Sequence, residues 1–409
     1  MHNLREDAAK IMKACLVASL PDTAVKKAIQ QIELREGRLI LVAIGKAAWS
    51  MAKAASDTLG DRIDQGIVIT KYGHVMAEIP KVTCWEAGHP VPDANSYQAT
   101  QAALEMVSTL DAADQVLFLI SGGGSALFES PTIPEAELLD ITQQLLACGA
   151  DIVEINTIRK RLSQVKGGRF AKVCAPARVE CIVLSDIIGD PLDMIASGPA
   201  YPDSSTRVDA LNIVSRYQLN LSEQALACLE VETPKSVDNV STYVTGSVKE
   251  LCLAALTKAE ELGYHGQVLT DCLSCQAKEA GSFLSSIAKS QASTGPKAFI
   301  AGGETVVNLT GQGKGGRNQE LALASAEQIS GLPNVVIFSL GSDGTDGPTD
   351  AAGGIVDGST KQNLSDLGIT IYDVLRENDS YHALEKVQGL IKTGPTGTNV
   401  NDVAVVLIG

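Results

Sequence analysis

The chain has 409 residues, 45% hydrophobic and 20% charged, a balance that excludes a disordered chain. That length suits about two to three domains, with ample material for sizeable cores. A net charge of −15 repels phosphate backbones, which argues against nucleic-acid or anionic-membrane binding but not against one small anion in a locally basic pocket.

The first twenty residues mix charges into a helical pattern and lack the apolar core and cleavage site of a signal peptide. No apolar run approaches the roughly 18 residues of a membrane span, so a cytoplasmic location is expected. RLILVAIG, residues 38–45, predicts a strand leading into the helical KAAWSMAKAASDTL. GIVIT at 66–70, QVLFLI ending at Ile120 and VECIVL ending near Leu184 predict further strands. STYVTGS, QVLTD, KAFIAGG, the strand-like VVNLT, NVVIFSLGSDG and VAVVLIG continue the pattern to the C-terminus. Continuous apolar strands alternating with amphipathic helices indicate parallel or mixed sheets covered on both faces. The fold class is α/β, read as two α/β/α domains with Rossmann-like sheets. Aromatics are only 4%, so the core is expected to be Ala, Val, Leu and Ile.

The alternation lapses after SGPAYPDSS, and the polar stretch from about Glu230 to Thr242 reads as a domain junction. The expected division is an N-terminal domain at 1–235 and a C-terminal domain at 236–409, with an interdomain cleft, a common place for ligands. The nine cysteines are scattered. Cys272 and Cys275 form the one tight pair, no second pair or spaced histidines complete a zinc site, and reduced thiols are expected.

Ligands of open α/β sheets sit outside the carboxyl ends of strands, where the Gly-rich segments fall. Ser121, Gly122, Gly123, Gly124 and Ser125 follow a strand directly, and successive amides there suit phosphate. Lys46 lies just past a strand end at a helix start, where the helix dipole disfavours a cation, so an anionic ligand is one explanation for it. From Arg159 to Lys172 there are six basic residues and no acid. Arg159, Lys160, Arg161, Lys166 and Arg169 read equally as an anion pocket or as an exposed basic helix that the Gly167-Gly168 pair ends or bends.

Gly311, Gly313 and Gly316 formally satisfy GxGxxG, but no acid follows at the spacing that a dinucleotide ribose needs. Arg317 in that run is better read as a charged finger for a transferring phosphoryl group. Asp186, Asp190 and Asp193 follow one strand, and Asp343, Asp346 and Asp350 follow another. Carboxylates in that setting hold Mg²⁺, accept a proton from a hydroxyl, or cap turns and helices. His89, in a Pro-rich loop, reads as a turn-structuring residue that could also touch substrate.

Taken together, AIGKAA, AGHPVPD, LISGGGSALFESP, NTIRKRLSQVKGGR, VLSDIIGDPLDMIASGP, AGGETVVNLTGQGKGGRNQELAL, GSDGTDGPTDAAGG and TGTNVNDV resemble the glycerate 2-kinase family, the class with a C-terminal MOFRL domain. Older naming often calls such sequences hydroxypyruvate reductases. The resemblance runs from about residue 43 to 402, with the MOFRL-like portion at about 297–402. It implies transfer of phosphate from ATP, with Mg²⁺, to the 2-hydroxyl of D-glycerate, by a monomer or homodimer. Lys46 and Arg317 match the family's Lys and Arg held to matter for activity, and Ser121 to Ser125 matches its nucleotide-phosphate loop. On this reading Asp186 or Asp190 orients or deprotonates the hydroxyl, Arg159, Lys160 and Lys166 grip the substrate carboxylate, and Asp343 and Asp346 hold the metal. The family run is commonly Arg-Lys-His, whereas this chain has Arg159-Lys160-Arg161, so activity on other hydroxy acids such as tartronate stays open. The competing readings are an NAD(P)-dependent hydroxypyruvate reductase and a non-enzymatic sensor of the same fold.

Overall fold

The computed structural model describes residues 3–185, 189, 191–293 and 295–409. The described residues form two compact units. The first runs from Ala24 to Ser185 and continues to Thr245; the second combines the residues up to Thr23 with Gly246–Gly409. The strands are β1 (Leu39–Ile44), β2 (Gln65–Lys71), β3 (Val82–Ala87), β4 (Gln115–Ile120), β5 (Arg178–Val183), β6 (Val240–Val244), β7 (His265–Leu273), β8 (Lys297–Gly303), β9 (Val335–Gly341), β10 (Gly353–Asp357), β11 (Leu390–Ile391) and β12 (Asp402–Ile408).

In the first unit six parallel strands take the order β3-β2-β1-β4-β5-β6. This is the doubly wound order, and its direction reverses between β1 and β4. Both of those strands are buried along their whole length, as LILVAI and QVLFLI require. Helices pack on the sheet, and Phe118, Phe128 and Phe170 cluster with ring centroids 4.7–6.0 Å apart. Half of the chain's six phenylalanines thus sit together below the turn after β4, an exception to the otherwise aliphatic core. A separate apolar cluster joins the helices Glu135–Ala147, Ile152–Arg161, Arg207–Tyr217 and Glu223–Glu230.

The second unit carries a mixed sheet in the order β11-β10-β9-β12-β8-β7. Only β7 and β8 pair in parallel; β12 runs antiparallel to both β8 and β9. That register sets Asp402, the first residue of β12, opposite Gly303 and Gly341, the last residues of β8 and β9. The loops after β8 and β9 and the entry to β12 therefore converge at one end of the sheet.

The observed division differs from the expected one in two places. β6 pairs in parallel with β5, so the strand that closes the supposed junction belongs to the first sheet and the unit ends at Thr245. The N-terminal helix Leu4–Ser19 belongs to the second unit, where Tyr264 donates to Asp7 at 2.9 Å and Arg5 pairs with Asp357 at 2.6 Å. VVNLT is not a strand: Val306 makes one bridge to Gln276 and Leu309 is 83% exposed, so the segment has no place in a sheet. The basic run is not one helix either, since its helix ends at Arg161 and a new one begins at Arg169 beyond the Gly pair. Among the described residues no helix is long and apolar enough to cross a membrane.

Candidate active site

The turns after β1 and β4 lie at the switch point of the first sheet, where main chains diverge and leave room for a ligand. They are stitched together. Lys46 N–H donates to the Gly122 carbonyl at 2.9 Å, and Ser121 Oγ donates to the Ile44 carbonyl and accepts from Ala47 N–H, each at 3.1 Å. Ser121 is thereby committed to holding the turns. The amides of Gly122, Gly123, Gly124 and Ser125 make no hydrogen bond among the described residues. Four consecutive amides without a partner are donors of the kind that an anion takes up.

Gly123 has φ +86, and a Cβ there would lie 3.0 Å from His89 Nε2 and 3.1 Å from Lys46 Cε. The side chains of His89 and Lys46 therefore both lie against the loop at Gly123. The Lys46 ammonium has no ion-pair or hydrogen-bond partner among the described residues, while its carbonyl accepts from Thr70 and contacts His74 Nδ1. Burial, then the charges of Lys46 and Lys71, holds the His89 imidazole below its ordinary pKa, so it is neutral at pH 7. His89 belongs to the site by position, beyond the turn-structuring role read from its Pro-rich setting.

The basic stretch reaches this loop through Arg159, whose guanidinium donates to the Ser125 carbonyl at 2.9 Å and pairs with Glu129 at 3.4 Å. Lys160 and Lys166 have internal partners instead. Lys160 bridges Asp193 at 3.3 Å and Asp203 at 3.1 Å. Lys166 is fully buried, 3.0 Å from Glu129 and 2.8 Å from the Phe128 carbonyl. Burial pulls its ammonium down to about 8. Arg161 is likewise buried against Asp203, Ser205 and Glu232. The run is thus neither an exposed basic helix nor an open anion pocket: distant carboxylates neutralise most of it, and Arg159 is the member at the loop. Asp186 and Asp190 lie outside the described residues.

In the second unit Arg317 opens the helix Arg317–Gln328. Its guanidinium grips Asp402 with two bonds, Nε to Oδ2 at 2.6 Å and Nη2 to Oδ1 at 3.2 Å, and reaches Glu304 with Nη1 at 2.9 Å. Burial pulls its pKa down, but the Asp402 bond, with Asp402 and Glu304 charge, outweighs this and secures the cation. The side chain remains 31% exposed. The glycines of the GxGxxG run do not cradle a dinucleotide. Cβ atoms at Gly311, Gly313 and Gly316 would overlap Glu377, Asp379 and Asp346. The amides of Gly311, Gly313 and Lys314 are already taken by Asn378, Glu377 and Asp379.

Asp346 caps that helix. Its Oδ1 accepts from Asn318 N–H at 3.1 Å and its Oδ2 from Gln319 N–H at 2.8 Å. Among the described residues the Asp343 side chain accepts through Oδ1 alone, from the Thr345 amide at 2.9 Å. No group of three or more His, Cys, Asp or Glu that could hold a metal occurs among the described residues. Mg²⁺ often keeps several waters and needs only one or two protein carboxylates when phosphates share it. The donor set fits an ion carried by such a ligand, with Asp343 as the open carboxylate and Asp346 engaged in capping.

Burial pushes the Asp346 carboxyl up to about 6 from 3.8, against the pull of the two amides. The folded state then binds more protons than the unfolded chain between those values, so the group's stabilising share is full below 3.8 and lost as pH rises through about 6. Asp346→Asn removes this titration and keeps one capping oxygen. The stability difference, read by urea midpoints, should move in the variant's favour across that window; a pH-independent difference would refute the assignment.

With both sites described, kinship narrows the chemistry. Residues 7–230 match the family described as Domain of unknown function (DUF4147), and residues 297–402 match the MOFRL family. A D-glycerate 2-kinase of Thermotoga maritima is 50% identical over 99% of each chain. A Pyrococcus horikoshii glycerate 2-kinase is 38% identical over 99% of this chain and 98% of its own. A protein of Agrobacterium vitis named for hydroxypyruvate reductase is 37% identical, over 99% and 94%. The crystal structure of the Thermotoga glycerate kinase superposes with a TM-score of 0.96, over 99% of both chains. A DUF4147 match followed by a MOFRL match, in a chain alike from end to end to a D-glycerate 2-kinase, places this protein in the glycerate 2-kinase family.

Proposed function

We infer that this chain is an ATP-dependent kinase that phosphorylates the 2-hydroxyl of D-glycerate, giving 2-phosphoglycerate and ADP. The observation that carries the reading is the end-to-end likeness to the Thermotoga D-glycerate 2-kinase. The glycine loop supports it, with four unclaimed amides beside an unpaired Lys46 among the described residues. In the reaction the 2-hydroxyl oxygen bonds to the γ-phosphorus, the bond to the β–γ bridging oxygen breaks, and the hydroxyl proton leaves. Such a transfer asks for positioning and charge neutralisation more than covalent catalysis.

Gly122 to Ser125 would receive ATP phosphates on their amides, and Lys46 and Arg317 would offset charge on the transferring group. Arg159 is the member of the basic stretch suited to the substrate carboxylate, since its guanidinium reaches the loop at the Ser125 carbonyl and its pairing with Glu129 is the looser one at 3.4 Å, whereas Lys160 and Lys166 are held in closer internal pairs. Asp186 or Asp190 would take the hydroxyl proton. Mg²⁺ would supply charge neutralisation on the ATP phosphates, with Asp343 as its protein ligand. A reductase is disfavoured, because the turn after β1, Gly45 to Ala48, lacks the dinucleotide fingerprint and the later GxGxxG glycines pack against the protein itself. The test is ADP release from ATP with D-glycerate, beside NAD(P)H oxidation with hydroxypyruvate. The first alone is expected; the second alone would overturn the reading.

A further inference from the structure

Beside the glycine loop the backbone is held in an unusual state. Ala196, Ser197 and Gly198 have φ of 52°, 61° and 63°, three successive left-handed residues of which two carry side chains. L-residues visit that region at an energetic cost, and such strain persists only where surrounding structure enforces it. Here the restraints are main-chain bonds: Ser197 N–H to Met194, Gly198 N–H to Ile195, Gly167 N–H to Ser197 and Gly168 N–H to Gly198, at 2.8–3.1 Å. Ala196 sits directly on the loop, since a Cβ on Gly124 would lie 2.6 Å from the Ala196 Cβ.

The strained turn delivers one side chain. Ser197 is fully buried, and its Oγ lies 2.9 Å from Asn156 Oδ1 and 2.9 Å from Ser125 Oγ. A hydroxyl has a single proton to donate, and an amide oxygen has none. Ser197 gives its proton to Asn156. The proton in the other contact must then come from Ser125, which donates inward to Ser197. The half-exposed Ser125 hydroxyl is left facing the loop with oxygen lone pairs and no proton.

That polarity is wrong for a phosphate oxygen, which also offers only lone pairs. It suits a donor. We propose that Ser125 Oγ accepts a hydrogen bond from the 2-hydroxyl of the hydroxy-acid substrate, with Ser197 and Asn156 as positioning residues that fix its orientation. This rests on the kinase reading above. The amides of Gly122 to Ser125 and the Ser125 oxygen divide the work: amides for phosphate, oxygen for the hydroxyl that attacks it. The chain of bonds ends at an amide oxygen, which cannot take up a proton, so it orients the nucleophile and the base lies elsewhere.

The test begins with unmodified enzyme and D-glycerate. Absence of ADP formation there would remove the kinase reading, and this inference with it. With turnover established, Ser197→Ala and Ser125→Ala are each expected to raise the KM for glycerate about tenfold and leave the KM for ATP within about twofold, the effect of one neutral hydrogen bond. The double variant should be little worse than either single one, since both break the same bond chain. Two competitive inhibitors locate the hydroxyl. D-lactate, which keeps the 2-hydroxyl, should bind about tenfold more weakly to Ser197→Ala, while 3-hydroxypropionate, which lacks it, should be unaffected. Equal weakening of both acids, an additive double variant, or a rise confined to the KM for ATP would overturn the proposal. Should Ser197→Ala fail to fold, Ser125→Ala carries the same inhibitor prediction alone.

Discussion

Arg317→Ala is expected to lower kcat by about 10³-fold or more, the scale seen when an arginine that neutralises a phosphoryl transition state is removed. Arg317 also has a structural duty. Asp402 is 9% exposed and takes two of its bonds, so the variant strands a buried carboxylate. Losing one partner of a buried pair costs about 3–5 kcal/mol. Here the cation is 31% exposed, and solvent screening brings the figure nearer 1–3 kcal/mol. The two duties separate. Arg317→Ala with Asp402→Asn should regain the urea midpoint but not turnover. Arg317→Lys keeps the charge but not the fork that meets Asp402 and Glu304 together, and should stay far below wild-type kcat. Full turnover in Arg317→Ala would remove this residue from the mechanism.

Lys46→Ala should behave differently, and the contrast is physical. Its ammonium has no partner among the described residues, so its removal strands nothing, and stability should change by less than about 0.5 kcal/mol. Catalysis should fall about 10²–10³-fold, the usual scale for a lost donor to developing charge. A third readout belongs to His89. Lys46 is one of the charges holding that imidazole below its ordinary pKa, so in Lys46→Ala its NMR titration should move upward, though burial still depresses it. A large loss of stability, or an unmoved His89, would show that Lys46 is engaged otherwise.

Much of the frame was legible because its strands are buried on both faces and so read as unbroken apolar runs. LILVAI, QVLFLI and VAVVLI are of this kind, and Lys46 and the SGGGS turn were found by standing just after such runs. Strands that depart from that chemistry were missed. VTCWEA of β3 is an edge strand, mostly half-exposed. GGIVD of β10 begins with two glycines, of which Gly353 lies so close to Ser339 that a Cβ would overlap it. VVNLT misled in the opposite direction, β-branched but exposed.

Charge was harder still. The run from Arg159 to Lys172 looks like an anion site when read locally, and nothing local shows that Glu129, Asp193 and Asp203 fold onto it. Asp346 looks the same in sequence whether it binds a metal or caps a helix; its two amide bonds show that it caps one. Ser197 and Asn156 left no sequence signal beyond a serine before Gly-Pro, and His89 showed only as a residue of a Pro-rich loop that could touch substrate. Left-handed backbone at Ala196 and Ser197 is a property of the folded neighbourhood, and neither residue type announces it.

The most direct measurement of the central claim is the proton-coupled phosphorus spectrum of the product formed from D-glycerate, ATP and Mg²⁺. The account predicts ADP together with a phosphate ester split into a doublet by the single C2 proton, as 2-phosphoglycerate requires. A triplet from two C3 protons, or ATP left intact, would contradict it.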